Sequence, residues 1–320
     1  MINIEIGKNE QKQRLDKFLK KYLGNAPLSY IYKAIRKDVK VNGRRAKEDT
    51  MLELGDMVTL YIPDEELSKL TKTRRSSRVK RQFKIAYEDE NILIAEKPFG
   101  LLTHGDRTEK KNHLANQVVD YLIEKGDYNP RIERSFTPAS VNRLDRNTPG
   151  LVLFGKTNAA LQKLNQMIRE KDKVNKYYMT IVKGVVKEEL HLKDKMVKDE
   201  KTNKVTVLSL NETGREMETI VRPVQTGKGF TLVEVEIITG RTHQIRAHLA
   251  KAGHPIIGDV KYGDKRVNEM VRRKFNLTTQ LLHAYKLSFR GCTGELAYLN
   301  DLEIYAELPD DFANIRRELF

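Results

Sequence analysis

The chain has 320 residues, with 59 lysines and arginines against 44 aspartates and glutamates, and one cysteine, Cys292. That length exceeds an ordinary core of ~100–200 residues, so two domains are expected, and the excess of fifteen positive charges points to a polyanion, nucleic acid before a membrane surface. One thiol excludes an internal disulfide and a multi-thiolate zinc site; no run reaches the ~18 apolar residues of a membrane span, and Met1-Ile-Asn-Ile-Glu-Ile-Gly-Lys8 lacks a signal peptide's apolar centre, so a soluble, cytoplasmic protein is expected.

From Arg14, the residues Leu15, Phe18, Leu19, Tyr22 and Leu23 recur at i, i+3, i+4, i+7 and i+8, which predicts an amphipathic helix. Ser29 is placed to cap a second helix that buries Ile31, Ala34 and Ile35. Val39-Lys-Val-Asn-Gly-Arg-Arg45 runs through Asn42-Gly43, a strong hairpin signal, and Met57 to Ile62 reads as the closing strand. Between Tyr30 and Lys47 lie Lys33, Arg36, Lys37, Lys40, Arg44, Arg45 and Lys47 against Asp38 alone, giving one edge a positive potential. A solvated helix face is the plain alternative. Together these segments resemble the alpha-L RNA-binding module over roughly residues 12 to 62. The resemblance implies RNA contact through Arg36, Lys37, Lys40, Arg44 and Arg45.

Lys72 to Arg81 carries six basic residues, no acid and no apolar periodicity, and reads as a linker that can also touch phosphates. Beyond it, strands are expected at 91–95, 151–154, 177–182, 231–238 and 287–289, and helices at roughly 112–125, 157–170 and 243–252. Their irregular order favours an α+β domain on a mixed, largely antiparallel sheet over a doubly wound one. The expected division is 1–65 for the RNA-binding domain, 66–82 for the linker and 83–320 for the catalytic domain.

Gly150-Leu-Val-Leu-Phe-Gly-Lys-Thr157 matches a P-loop letter for letter. A P-loop needs a flexible turn at its centre, and here the four central residues are themselves a strand. His243, His248 and His254 do not share a helical face and have no cysteine nearby, so metal binding is not expected. Thr242 is placed to cap a helix that ends at Gly253 before Pro255, setting Arg241 in the entering turn and Arg246 in the first turns. An arginine held there suits a carboxylate or phosphate partner, although a surface arginine is an even alternative for each residue taken alone.

Three segments in order change those odds: Asn142-Arg-Leu-Asp-Arg-Asn-Thr-Pro-Gly-Leu151, Lys176-Tyr-Tyr-Met-Thr-Ile-Val-Lys-Gly184 and Gly240-Arg-Thr-His-Gln-Ile-Arg246. They resemble the consecutive motifs of the RluA-type RNA pseudouridine synthases. Lys97-Pro-Phe-Gly-Leu-Leu-Thr-His104 and Leu282-His-Ala-Tyr-Lys-Leu287 resemble the same family's flanking motifs. The likeness runs from about residue 83 to 290. The chain departs from the family at Asn142, where His is usual, at Asn147, where Asp is usual, and at Pro149, where Ser is usual.

The resemblance implies that uridine is isomerised by breaking the bond from ribose to the uracil nitrogen and rejoining the base through carbon 5, with no redox change, cofactor or metal. It assigns Asp145 as the ionised carboxylate, which adds to the base or assists departure from the sugar. Arg246 becomes its partner and Tyr178 the aromatic wall; a ring stacked on a base contributes about 1–3 kcal/mol. Arg143, Arg146, Lys176, Arg241 and His243 are expected at the RNA, which must flip the uridine out at a cost of a few kcal/mol. Large-subunit ribosomal RNA or a pre-ribosomal particle is the expected partner of a monomer. A transfer-RNA substrate and a non-catalytic ribosome-assembly protein are the alternatives.

Overall fold

The computed structural model describes residues 1–71, 79–133, 135–199, 202 and 204–320. Seven linker positions, 72–78, therefore lie outside the described residues.

The N-terminal unit comprises β1 (Ile2–Glu5), β2 (Gln13–Arg14), α1 (Leu15–Tyr22), α2 (Leu28–Lys37), β3 (Val39–Val41), β4 (Arg44–Arg45), β5 (Met51–Leu52), β6 (Met57–Leu60) and α3 (Asp64–Leu70). Helix α1 buries the predicted stripe of Leu15, Phe18, Leu19 and Tyr22. Helix α2 starts at Leu28 and not behind a Ser29 cap. Pro27, extended at φ −68°, gives its carbonyl to the Ile31 amide and so precedes the first turn itself. The β3–β4 turn has positive φ at both Asn42 and Gly43, as a tight hairpin requires. The Asn42 side chain locks it by accepting from the Met57 amide and donating to Asp56. These helices close over the sheet β1-β6-β3-β4, with a core from Ile6 to Leu67 that forms a cluster of its own.

The remainder comprises β7 (Lys84–Glu88), β8 (Ile92–Lys97), α4 (Leu114–Lys125), β9 (Ala139–Ser140), β10 (Gly150–Gly155), α5 (Asn158–Glu170), β11 (Val174–Lys183), β12 (Leu190–Asp199) and β13 (Lys204–Leu208). It continues through β14 (Arg215–Gly227), β15 (Phe230–Ile237), α6 (Gln244–Lys251), α7 (Lys265–Phe275), β16 (Leu282–Phe289), β17 (Glu303–Tyr305) and α8 (Asp310–Leu319). The central path is β13-β12-β14-β15-β11-β16-β10-β8-β7. Only β10 and β16 run parallel among the described pairs. The expected mixed, largely antiparallel α+β domain is thus what forms. The meander β12–β14 was not expected, although Met217, Thr219 and Val221 alternate inward along β14 as a half-buried strand should.

Residues 150–155 form the wholly buried strand β10, so the P-loop match has no phosphate-binding turn. A single register row across the sheet ties this strand to Tyr178. Gly150 pairs with Ala284, Ala284 with Tyr178, and Tyr178 with Val235. Gly150 has φ +121°, and a Cβ there would lie 2.1 Å from the Ala284 carbonyl oxygen. No larger residue fits this approach, and the approach brings the loop before β10 within two strands of Tyr178. The two units touch at Asn9, whose side chain and carbonyl accept from Asn158, and at Glu10, which accepts from Ser135.

Candidate active site

The loop from Val141 to Pro149 enters β10 with its backbone pinned on both sides of Asp145. The Leu144 amide and carbonyl both bond the Thr103 hydroxyl, at 3.1 and 3.0 Å. The Arg146 carbonyl accepts from the Lys97 ammonium and the Gly100 amide, each at 3.0 Å, and the Pro149 carbonyl accepts from the Ala284 amide. Pro149 needs no donor of its own here, so the family's serine is dispensable for this contact. Asn142 likewise has a structural use, since its amide donates to the Leu151 carbonyl and accepts from the Leu153 amide. Nothing in the structure explains Asn147.

Lys97 is 1% exposed and spends its three protons on the carbonyls of Pro98, Leu101 and Arg146. Burial pushes it down to about 7, with the Asp145 charge working the other way; the three carbonyls favour the ammonium form. Lys97 opens the flanking motif Lys97 to His104, which by itself implies no role for it.

Between this loop and α6 opens a cleft of about 1320 Å³, lined by Asp145, Tyr178, Arg246, Arg143, Arg146, Lys176, Arg241 and His243 among others. All eight residues expected at the catalytic centre or its RNA therefore meet in one place. The five expected on the N-terminal unit do not line it. The volume exceeds the ~300–1,000 Å³ of small-molecule pockets, leaving space for a nucleotide with its flanking backbone.

Arg246 projects from the first turn of α6 and is almost fully buried. Its Nε and Nη2 donate to the two carboxylate oxygens of Asp259 at 2.6 and 2.8 Å, and its Nη1 donates to Asp145 at 3.3 Å. Burial opposes the charge on Arg246, but the bonds and charge of Asp259, then of Asp145, hold its proton more tightly than usual. Burial likewise opposes ionisation of Asp259. Bonds from Arg246 and from the Lys261 and Tyr262 amides win, holding its carboxyl below the ordinary range. The bidentate pair fixes the guanidinium plane and leaves Nη1 facing Asp145. Asp145 keeps a third of its side chain exposed to the cleft.

A β-bulge falls between Tyr177 and Tyr178 in the pairing of β11 with β16. Tyr178 faces the cleft and packs in the main core, whereas Tyr177 lies under the Lys286 ammonium, 4.5 Å from its ring centroid. Burial, and then the nearby Asp145 charge, push the Tyr178 phenol well above its ordinary value, so it is neutral at physiological pH.

Arg143 and Arg146 are exposed at the rim, and Arg146 pairs loosely with Asp106 at 3.4 Å. Arg241 is also exposed and donates to the Glu216 carbonyl. Lys176 differs from these. It is buried, donates to the Val174 carbonyl, and is pushed down to about 8 by burial against the attraction of Glu236. His243 is buried as well, with its Nε2 3.8 Å from Asp145. It takes the N-cap position of α6 in place of Thr242, in a left-handed conformation. Asp259 and Tyr262 were not expected at the centre; their signal was their place just beyond the Arg246 helix, in Gly258-Asp-Val-Lys-Tyr262. Among the described residues no group of three His, Cys, Asp or Glu side chains is placed to hold a metal ion, and no helix is long and apolar enough to cross a membrane.

Residues 91–251 match the family model described as RNA pseudouridylate synthase. The chain is 33% identical over 309 residues to Ribosomal large subunit pseudouridine synthase C of Pasteurella multocida, covering 93% of this chain and 89% of that one. It is 34% identical over 322 residues to the protein of the same name from Vibrio vulnificus, covering 99% and 96%. Among solved structures, Human RNA Pseudouridylate Synthase Domain Containing 4 superposes with a TM-score of 0.58 at 21% identity, over 73% of this chain and 92% of that one, a likeness of fold.

Proposed function

The chain belongs to the RluA-type RNA pseudouridine synthase family, and from that premise we propose that it isomerises uridines of large-subunit ribosomal RNA with Asp145, Tyr178 and Arg246 at the reacting base. The chain is an isomerase of RNA uridine; the residues and the RNA are our reading. The observation that carries it is the Asp145 carboxylate, open to the cleft and held by Arg246 beside the Tyr178 wall.

The reaction breaks the bond from ribose carbon 1′ to uracil N1, forms one from carbon 1′ to carbon 5, and moves a proton from carbon 5 to solvent while N1 gains one. Nothing is oxidised. The detached base must be kept in place while it turns, and Asp145 must be ionised and aimed. Arg246 aims that carboxylate through its fixed guanidinium. The neutral Tyr178 ring meets the first need by stacking, worth about 1–3 kcal/mol. Arg143, Arg146 and Arg241 at the rim suit phosphates on either side of a flipped uridine. The exposed cations Arg36, Lys37, Arg44 and Arg45, with Lys40 beside them, add attraction independent of sequence. The names of the Pasteurella and Vibrio relatives favour ribosomal over transfer RNA.

Tritium at uracil carbon 5 of transcribed large-subunit ribosomal RNA should be released by the protein. Asp145→Asn should lower release by at least about a thousandfold while RNA affinity stays nearly unchanged. Release from transfer RNA alone would move the substrate, and full rescue of a deletion phenotype by Asp145→Asn would favour an assembly role.

A further inference from the structure

His243 has φ 52° and ψ 20°, and it starts α6 without a side-chain cap. A left-handed backbone costs a non-glycine residue on the order of 1–3 kcal/mol, so the surrounding structure must hold it there. That conformation places the ring. Nδ1 lies 3.0 Å from the Tyr262 hydroxyl, and Nε2 lies 3.8 Å from Asp145 Oδ2. The Tyr262 oxygen accepts in turn from the Val205 amide of β13, at 2.7 Å.

The direction of these bonds is set by the Asp145 carboxylate beside the ring. The phenol oxygen accepts from the Val205 N–H and has its own hydrogen available to donate to His243 Nδ1. A neutral imidazole that accepts at Nδ1 carries its hydrogen on Nε2. The opposite tautomer would aim a lone pair at the Asp145 carboxylate, and repulsion disfavours it. Burial keeps the ring neutral by pushing it below its ordinary value; Arg246 and Lys261 act in the same sense, while Asp145 and Asp259 oppose. At 3.8 Å the Nε2–H meets the carboxylate as an oriented dipole, a contact of the kind that shortens when substrate closes the site.

Tyr262 is itself held. Its amide donates to Asp259, its ring lies 5.3 Å from the Arg246 guanidinium carbon, and it meets the His243 ring edge to face at 5.7 Å. Asp145 is thereby supported from two directions, through Asp259 and Arg246 on one side and through Tyr262 and His243 on the other.

Resting on the isomerase reading above, we propose that Tyr262 and His243 are positioning residues. Tyr262 fixes the imidazole as its Nε2–H tautomer, and His243 turns that N–H toward Asp145 to hold the carboxylate for the uridine.

Tyr262→Phe keeps the ring and removes the donor. Single-turnover tritium release should fall about tenfold or more, as expected when a group that orients the reacting carboxylate is lost, while RNA affinity stays within about twofold. Nitrogen NMR of the imidazole should report the Nε2–H tautomer in the unaltered protein and a mixture in Tyr262→Phe. His243→Gln, which can offer an amide N–H near the lost Nε2–H, should retain more activity than His243→Leu. An unaltered rate in folded Tyr262→Phe overturns the proposal. So does an Nδ1–H tautomer in the unaltered protein, a reading that needs no turnover and decides the matter even if Tyr262→Phe misfolds. An unaltered protein that releases no tritium from any RNA instead refutes the isomerase reading.

Discussion

The N-terminal unit and the cleft hold their positive charge in opposite ways. Arg36, Lys37, Arg44 and Arg45 are exposed, and among the described residues none of them has a carboxylate within ion-pair distance; Lys40, beside them, lies over the Tyr61 ring. Arg246 and Asp259 are closed on each other, with side-chain exposures of 6% and 0%. Exposed, unpaired cations act at a distance and are screened by salt. A buried pair attracts almost nothing from outside, because its charges cancel, but it fixes geometry. On the proposed function, the same residue type serves capture in one region and alignment in the other.

The largest effect should come from opening the buried pair. Asp259→Asn removes the partner of Arg246 and leaves a guanidinium buried without its counter-charge, a change that costs about 3–5 kcal/mol. Arg246 then loses the anchor that aims its Nη1 at Asp145. Tritium release should fall by at least about a hundredfold, and urea midpoints should drop, while the salt dependence of RNA binding stays as it was. A changed salt dependence would mean that Asp259 also shapes the RNA surface.

This contrast explains what was legible in the sequence. The N-terminal charges were readable as a cluster because they lie close along the chain and face water. Asp145, Tyr178 and Arg246 were readable only because three motifs in order resembled a family; neither spacing nor charge would have joined residues about a hundred positions apart. Asp259 and Tyr262 escaped because their roles arise where the turn after α6 folds back under Arg246. The meander β12–β14 was missed despite its alternation, and with it the Val205 amide that orients Tyr262. Helix α6 was found, but its cap was assigned to Thr242. Local preference favours threonine, yet the structure gives the position to His243, whose ring is drawn to Tyr262 and Asp145.

Buried groups should also answer to pH where exposed cations answer to salt. His248, on the buried side of α6, is held down to about 4 by burial, with Asp194 opposing and Lys251 assisting. The unfolded chain therefore takes this proton first as pH falls. The stability that the neutral ring contributes is complete above its ordinary value of 6.5 and is lost as pH falls through 4. The linkage amounts to about 3 kcal/mol in all, of which about 2 kcal/mol falls between about pH 7 and pH 5. Urea melts should show that loss, and His248→Gln, which can keep the bond to Thr219, should reduce it. An equal loss in the variant would assign the acid sensitivity to other groups.

The smallest effect should come from the N-terminal unit, and its form matters more than its size. Arg44 and Arg45 lie together on β4, exposed, beside the Asn42-Gly43 turn. Each phosphate contact contributes a slope of roughly 0.7 to single-stranded and 0.9 to duplex nucleic acid in the logarithm of affinity against the logarithm of salt. Replacing both arginines by alanine should therefore flatten that plot by about 1.4 to 1.8 and weaken binding several-fold at moderate salt. The single-turnover rate at saturating RNA should not change, because neither residue lines the cleft. A flattened slope with an unchanged rate would separate capture from alignment within one chain. An unchanged slope would take the RNA off β4, and a reduced saturating rate would show that the N-terminal unit helps to set the uridine against Asp145.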